Sequence, residues 1–254
     1  MRLAAESARN DLLDSYLSFA VEREMPALGT VVRRPQALTA WLRAYAAASS
    51  TTASFEAIAD AVSRDARPRR ATIADHREAL GQLYLLDEVP AWAPFGKELS
   101  RLGGAPKHQL ADPALAARLL RVGPDALISA SGIADTSPSF RALRRGPLLG
   151  SLFESLATLC VRVYAQPHRA NVVHLRTHGG DHEIDMILER EDGRILAIEV
   201  KLSSSIDDED VRHLHWLEDK LGEDVVDRIV LTTGRTAYRR ADGTAVVPLA
   251  LLGP

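Results

Sequence analysis

The sequence predicts an α/β (α+β) chain in which a helical N-terminal half precedes a mixed sheet flanked by helices. Apolar residues recur at helical spacing through the first half, which favours packed helices. The second half contains runs that alternate apolar and polar residues, followed by "DRIVLTTG", a near-continuous apolar run typical of a buried strand. The order helix, three strands, helix, strand and terminal strand predicts a sheet sandwiched by helices.

Composition and charge limit the kinds of function that we expect for this chain. The chain has 254 residues, 46% of them hydrophobic and 26% charged, with a net charge of -3. Because the chain is not basic overall, nucleic-acid binding would require local patches. The single cysteine rules out an internal disulfide and fits a reducing cytoplasm. No apolar run approaches a membrane span, and no P-loop sequence GxxxxGK[ST] is present, so we expect a cytoplasmic chain with no membrane partner and no ATPase motif.

The first half divides into two predicted parts. Residues 1–50 contain helical patterns over 8–28 and 35–48. Residues 51–122 show a short helix that Ser54 can cap and a second helix that Thr72 can cap, followed by the strand-like runs "LLDEVPAW" and "PKHQLAD" around a loop. A further short helix follows, with Asp112 as its predicted cap. Two short helices followed by a hairpin match the winged-helix pattern.

Arginines concentrate around the second of these helices. The turn before the helix and the helix itself supply the candidate nucleic-acid-binding residues Arg64, Arg67, Arg69, Arg70 and Arg77. Such a cluster can hold DNA phosphates. A solvated arginine turn, or a protein-contact role for the winged helix, explains the same residues. Asp75 and Glu78 on the helix weigh against strong DNA affinity.

A boundary region separates the two halves. Residues 123–147 are rich in Ser, Gly and Pro, which predicts a linker or a mobile loop. Residues 148–254 form the predicted sheet domain. It opens with the helix "LLGSLFESLATLCVRVYAQ", whose apolar stripe we expect at Leu148, Leu152, Leu156 and Leu159, with Glu154 off the stripe.

The stretch "HEIDMILEREDGRILAIEVKLSSS" carries the strongest functional signal. Its two apolar runs flank "EDG", which is typical of a tight turn, so we predict a hairpin that sets Asp185 beside Glu199 and Lys201. Glu199 and Lys201 are two residues apart on one strand and therefore share a face. Burying such a cluster is costly, which favours a function. The alternative is a Glu199–Lys201 pair on an exposed strand face.

These residue types suit divalent-metal chemistry. Magnesium prefers oxygen ligands. Asp185 and Glu199 would supply carboxylates to Mg²⁺ or Mn²⁺, and Glu154 on the preceding helix could add a third. Lys201 could orient or help deprotonate an attacking water, or stabilise charge on a scissile phosphate. Asp185, Glu199, Lys201 and Glu154 are therefore the candidate catalytic residues, and the three acids the candidate metal ligands.

At these residues the chain resembles the PD-(D/E)XK nuclease-like superfamily. It is more similar still to a C-terminal domain of unknown function that follows an AAA-type ATPase module in bacterial and archaeal proteins. The resemblance covers roughly residues 10–254 and rests on motifs in a specific order: "TIADHREALGQLYLLDEVPAW", "PKHQLADPALAARLL", "GSLFESLATL", "LRTHGGDHEIDMILER", "LAIEVKLSSS", "IVLTTGRTAY" and "AVVPLALL".

The resemblance implies a winged-helix module followed by a restriction-endonuclease-like sheet. Carried over position by position, it implies active-site roles for Glu154, Asp185, Glu199 and Lys201. Members of that family usually carry an ATPase module before this region. Here "LLDSYLSFAVEREMPAL" looks like the segment that normally follows it, which suggests a truncated reading frame or a stand-alone remnant.

Three functions follow from these observations. The first is a metal-dependent endonuclease that hydrolyses DNA phosphodiesters. The second is a non-catalytic DNA-binding or regulatory module. The third is a fragment that docks on an ATPase module or another protein partner. The patterns indicate no particular oligomeric state.

Overall fold

The computed structural model describes residues 2–65, 67–93, 104–128 and 145–253. The chain divides into two compact units. The helical unit comprises Met1–Glu88 and His108–Leu152, and the sheet unit comprises Val89–Lys107 and Phe153–Pro254. The described residues confirm the predicted fold class, with helices first and then a mixed sheet flanked by helices.

The helical unit is built from short helices. Their bounds are α1 Arg2–Phe19, α2 Met25–Ala27, α3 Pro35–Ala47, α4 Phe55–Asp60, α5 Arg70–Gln82, α6 Pro113–Leu119 and α7 Pro124–Ile128. One π-helical turn, Ala20–Glu24, joins α1 to α2. Their apolar faces meet in one core that contains the buried side chains of Trp41, Tyr45 and Leu80.

Capping explains where several helices begin. The Ser54 hydroxyl accepts a hydrogen bond from the Ala57 amide, and the Asp112 carboxylate accepts one from Ala114, as their positions predict. The expected cap at Thr72 is wrong. The N-cap position of α5 is Arg69, three residues earlier, so Thr72 lies in the first turn of the helix.

The predicted wing strands are reduced to isolated antiparallel bridges in the described residues. Leu86 pairs with Leu110 in the helical unit, and Val89 pairs with Lys107 in the sheet unit. Residues 94–103 of the expected loop and residues 129–144 of the expected linker lie outside the described residues.

The sheet unit contains a six-stranded mixed sheet within the described residues, in the order β1-β2-β3-β4-β6-β5. The strands are β1 Asn171–Arg176, β2 Glu183–Glu189, β3 Ile195–Lys201, β4 Val225–Thr232, β5 Tyr238–Arg239 and β6 Ala245–Pro248. The pairs β1–β2 and β2–β3 are antiparallel, whereas β3–β4 and β4–β6 are parallel. The short strand β5 was not predicted from the sequence.

Two long helices cover the faces of the sheet. Helix α8, Arg145–Ala165, packs Ala157 and Val161 against the face that contains Ile198. Helix α9, Asp208–Leu221, starts with a capping box at Asp207 and packs against the face that contains Ala197. Ala197 and Ile198 are adjacent on β3, so the two helices cover opposite faces.

The expected stripe on α8 is partly wrong. Leu148 and Leu152 are buried, but Leu156 is exposed. The residues Ala157 and Val161 are buried in its place, because the helix turns Leu156 away from the sheet. The side chain of Glu154 is mostly buried.

One helix among the described residues, Pro147–His168, is long and apolar enough to span a membrane, by length and composition alone. The sequence pattern had indicated no run of that length. Core helices share this composition, and here Ala157 and Val161 pack on the sheet.

The buried imidazole of His174 on β1 makes the stability of the sheet unit sensitive to pH. Burial and the nearby charge of Lys107 lower the pKa of His174 from 6.5 to about 4. Between pH 6.5 and 4, His174 is therefore protonated in the unfolded chain and neutral in the folded chain. We expect stability to fall as the pH drops from 6.5 towards 4, by up to about 3 kcal/mol.

The variant His174→Gln tests this prediction. A glutamine amide can replace the imidazole contact with the Ala105 carbonyl, 3.1 Å from Nε2, but does not titrate. We expect a shallower loss of stability than in the wild type when urea unfolding is measured at several pH values between 7 and 4.5. Parallel pH curves for the two proteins would contradict the assignment.

Candidate functional site

The β2–β3 hairpin brings the predicted acidic residues together. The turn contains Gly193 at φ +79°, a backbone conformation that glycine adopts without strain. Met186 pairs with Ile198, so Asp185 lies next to Glu199 where the ladder ends. The β1–β2 ladder shifts register at this point, which indicates a bulge in β2 beside Asp185. Bulges of this kind re-aim a side chain next to a functional site.

A lysine that the sequence analysis did not select lies at the centre of this cluster. The Lys107 ammonium is 2.8 Å from Asp185 Oδ1, 2.9 Å from Glu154 Oε1 and 3.4 Å from Glu183 Oε1. Its side chain is 1% exposed. One buried cation is therefore shared by three carboxylates from α8 and β2.

Backbone pairing holds Lys107 in this position. Its amide donates to the Val89 carbonyl at 3.0 Å, and the Val89 amide donates back at 2.9 Å. No local sequence pattern marks Lys107, since its partners lie 47 and 78 residues further along the chain. Glu183 could have been found, because it lies two residues before Asp185 on a predicted strand.

Glu199 and Lys201 form a second ion pair. Lys201 Nζ is 3.3 Å from Glu199 Oε2. Glu199 is only 4% exposed, so the alternative of an exposed pair is wrong for this carboxylate. Its other oxygen, Oε1, is buried and has no hydrogen-bond partner in the described parts of the chain.

The charges in the cluster shift one another's pKa values. Burial, followed by the charge of Asp185, raises the pKa values of Glu154 and Glu199. Burial alone would raise the pKa of Asp185, but Lys107 and the Val200 amide, which donates to Oδ2 at 2.9 Å, hold it below its ordinary value. The carboxylates raise the pKa of Lys107 despite its burial. An ionised Asp185 beside a charged Lys107 is therefore the core of the site.

The divalent metal that the resemblance implies does not fit this arrangement. Lys107 Nζ occupies the space between Asp185 Oδ1 and Glu154 Oε1 where a shared cation would bind. Within the described ranges, no group of three or more His, Cys, Asp or Glu side chains is arranged to hold a metal ion.

The five arginines that were predicted to bind nucleic acid differ in whether they contact a carboxylate. Three of them contact carboxylates: Arg67 pairs with Asp60, Arg70 with Glu56 at 2.9 Å, and Arg77 with Glu88 at 3.4 Å. Arg77 also lies over the Phe55 ring, with Cζ 3.2 Å from the ring centroid. Arg64 and Arg69 are exposed and have no carboxylate partner among the described residues.

Some of these residues line a cleft in the helical unit that we call the arginine cleft. It has a volume of about 910 Å³, and its arginines are Arg33, Arg34, Arg67 and Arg69. Asp75 and Glu78 are the carboxylates in its lining. Arg33 and Arg34 were not predicted, because they precede α3 and are distant in sequence from the arginine turn.

Two helices begin at the arginine cleft without a side-chain cap. Arg34 precedes α3 and Arg69 precedes α5, and neither side chain accepts a hydrogen bond from its helix. Free amides in a first helical turn attract anions. His76 in the same lining is buried, and its imidazole makes no hydrogen bond to another side chain or to the backbone within the described residues.

Comparison with known proteins places two uncharacterised domains along the chain. Residues 2–126 match the model described as Domain of unknown function (DUF8612), and residues 149–252 match Domain of unknown function (DUF4143). No curated protein matches the chain. Among solved structures, the chain is similar to protein VC1899 from Vibrio cholerae, with 13% identity and a TM-score of 0.30. The match covers 94% of this chain and 53% of that protein.

The charge assignment within the cluster predicts different costs for two isosteric substitutions. Asp185→Asn removes the negative charge beside Lys107. The oxygen of the new amide can accept from Lys107, but its NH2 group then faces the Val200 amide, which is also a donor. We therefore expect the free energy of unfolding to fall by about 3 kcal/mol. Glu199→Gln weakens a contact with one lysine only, Lys201 at 3.3 Å, which is partly exposed and can be solvated by water, so we expect a smaller loss, of about 1 kcal/mol.

Urea unfolding of both variants at pH 7, measured against the wild type, tests this difference. A Glu199→Gln variant destabilised as much as Asp185→Asn would contradict the ranking, in which the contacts of Asp185 with Lys107 and the Val200 amide contribute more than the Glu199–Lys201 pair.

Proposed function

We propose that this chain is a non-catalytic nucleic-acid-binding module that works with an AAA-type ATPase. The arginine cleft is the single observation that carries the proposal. It brings four arginines and two uncapped helix starts to one concave surface, whereas the chain as a whole is slightly acidic. The partner class is suggested by the DUF4143 match, a domain that commonly accompanies AAA-type ATPases.

Phosphates are the group that this cleft suits best. Guanidinium groups bind phosphate oxygens through paired hydrogen bonds. The first-turn amides of α5 add donors without adding charge, whereas α3 begins with Pro35, which has no N–H group, and offers only the amide of Gln36. Asp75 and Glu78 in the lining, and Asp60, which pairs with Arg67, partly offset the four arginines. We therefore expect moderate, strongly salt-dependent affinity for the sugar–phosphate backbone, with little base discrimination.

A salt titration of duplex DNA binding tests the role of the cleft. We expect Arg33→Ala/Arg69→Ala to weaken binding and to lower the slope of log affinity against log salt by about 2, one for each lost phosphate contact. Fluorescence anisotropy with a labelled DNA duplex measures the affinity and its salt slope. The same titration with single-stranded DNA and with RNA shows which nucleic acid the chain prefers.

The matched control removes the same charge elsewhere. Arg9→Ala/Arg23→Ala changes two exposed arginines of the helical unit that do not line the cleft. We expect this control to keep the wild-type slope within about 0.5. Equal loss in both double variants would indicate a general charge effect, and the absence of wild-type binding at low salt would contradict the proposal.

Phosphodiester hydrolysis is the second candidate function. It would take place at the acidic cluster, by which we mean the carboxyl groups of Glu154, Glu183, Asp185 and Glu199. It is favoured by the meeting of Asp185, Glu199 and Lys201 at the ends of adjacent strands, and by the unpartnered Glu199 Oε1. We rank it second because Lys107 holds the position that a catalytic metal would need.

Supercoiled plasmid distinguishes the two candidates. We expect the wild type to leave the plasmid intact with Mg²⁺ or Mn²⁺, as Glu199→Ala does, because Lys107 keeps the metal out. Nicking by the wild type that disappears both in Glu199→Ala and in EDTA would establish an active nuclease and overturn the non-catalytic proposal.

A further inference from the structure

The acidic cluster already contains a cation that belongs to the chain. Three carboxylate oxygens, from Glu154, Glu183 and Asp185, lie within 3.4 Å of Lys107 Nζ. These distances suit an ammonium and are longer than metal–oxygen bonds of about 2.1 Å. The oxygens therefore surround one point without yet being close enough to ligate a metal.

An independent observation indicates that the cluster has unused ligand capacity. Glu199 is buried, and Lys201 engages only its Oε2. Glu199 Oε1 is shielded from solvent and has no hydrogen-bond partner in the ranges that the structure describes. A buried oxygen without a partner is costly, and Glu199 lies directly beside Asp185 across the β2–β3 hairpin.

We propose that Lys107 occupies a latent divalent-metal site, so that the wild-type chain excludes Mg²⁺ and Mn²⁺ and removal of the ammonium creates a metal-binding site. In the wild type, a metal would have to displace a buried, triply paired ammonium. Without that ammonium, the carboxylates lose their only shared cation among the described residues. Side-chain rotation then brings the hard oxygen donors to metal distance, and their repulsion favours the bound ion.

The test is Mn²⁺ binding to the full chain with and without the ammonium. Lys107→Met keeps the length of the side chain and removes its charge. We expect the variant to bind one Mn²⁺ at least about tenfold more tightly than the wild type, as measured by electron paramagnetic resonance of free Mn²⁺. We also expect Mn²⁺ to raise the melting temperature of the variant by roughly 5 °C and to leave that of the wild type unchanged.

The double variant Lys107→Met/Asp185→Asn is the matched control. It lacks a central carboxylate, so we expect its affinity for Mn²⁺ to return to the wild-type level. Tight Mn²⁺ binding by the wild type that is lost in Asp185→Asn would overturn the proposal. So would a folded Lys107→Met variant that gains no affinity.

The loss of the ammonium leaves Glu154 and Asp185 without their close cation, so Lys107→Met by itself could fail to fold, and the experiment stays decisive in that case. The variant is in that case refolded from urea in parallel with EDTA and with Mn²⁺, and circular dichroism measures recovery. Recovery in Mn²⁺ alone supports the latent site. Failure in both conditions counts against it, since a bound metal should replace the missing charge.

Discussion

The sheet unit depends on the contact between Lys107 and the carboxylates of Asp185 and Glu154. A single buried ammonium joins the segment before His108, the helix α8 and the strand β2. Losing one partner from such a buried pair costs several kcal/mol, because the remaining charge has no water to solvate it. Lys107 holds the pKa of Asp185 below its ordinary value against the effect of burial, whereas burial and the charge of Asp185 raise the pKa of Glu154. The proposed exclusion of a metal follows from the position of this one ammonium.

Sequence reasoning found the parts of the site that local patterns describe. Alternation and the turn at Gly193 predicted the hairpin that brings Asp185 to Glu199, and the caps at Ser54 and Asp112 are where the sequence indicated. Lys107 was not predicted, because it contacts its partners only through the tertiary structure. Leu156 was misassigned because the apolar stripe of α8 can be drawn along more than one face.

Carboxylates cluster in the sheet unit and arginines in the helical unit, and the two clusters differ in how far they are buried. In the sheet unit, buried carboxylates are balanced by Lys107 and Lys201, so little of their charge reaches solvent. In the helical unit, exposed arginines gather at a cleft where two helices begin. An anionic polymer would be attracted to the second surface and not to the first. The proposed phosphate binding is therefore compatible with a chain that is slightly acidic overall.

The most direct measurement is a crystal structure of the wild-type chain soaked in Mn²⁺, with anomalous data collected to locate the ion. The account predicts no anomalous peak in the acidic cluster and continuous density from Lys107 Nζ to Asp185 and Glu154. A manganese peak bound by Asp185 and Glu199, with Lys107 displaced, would contradict it.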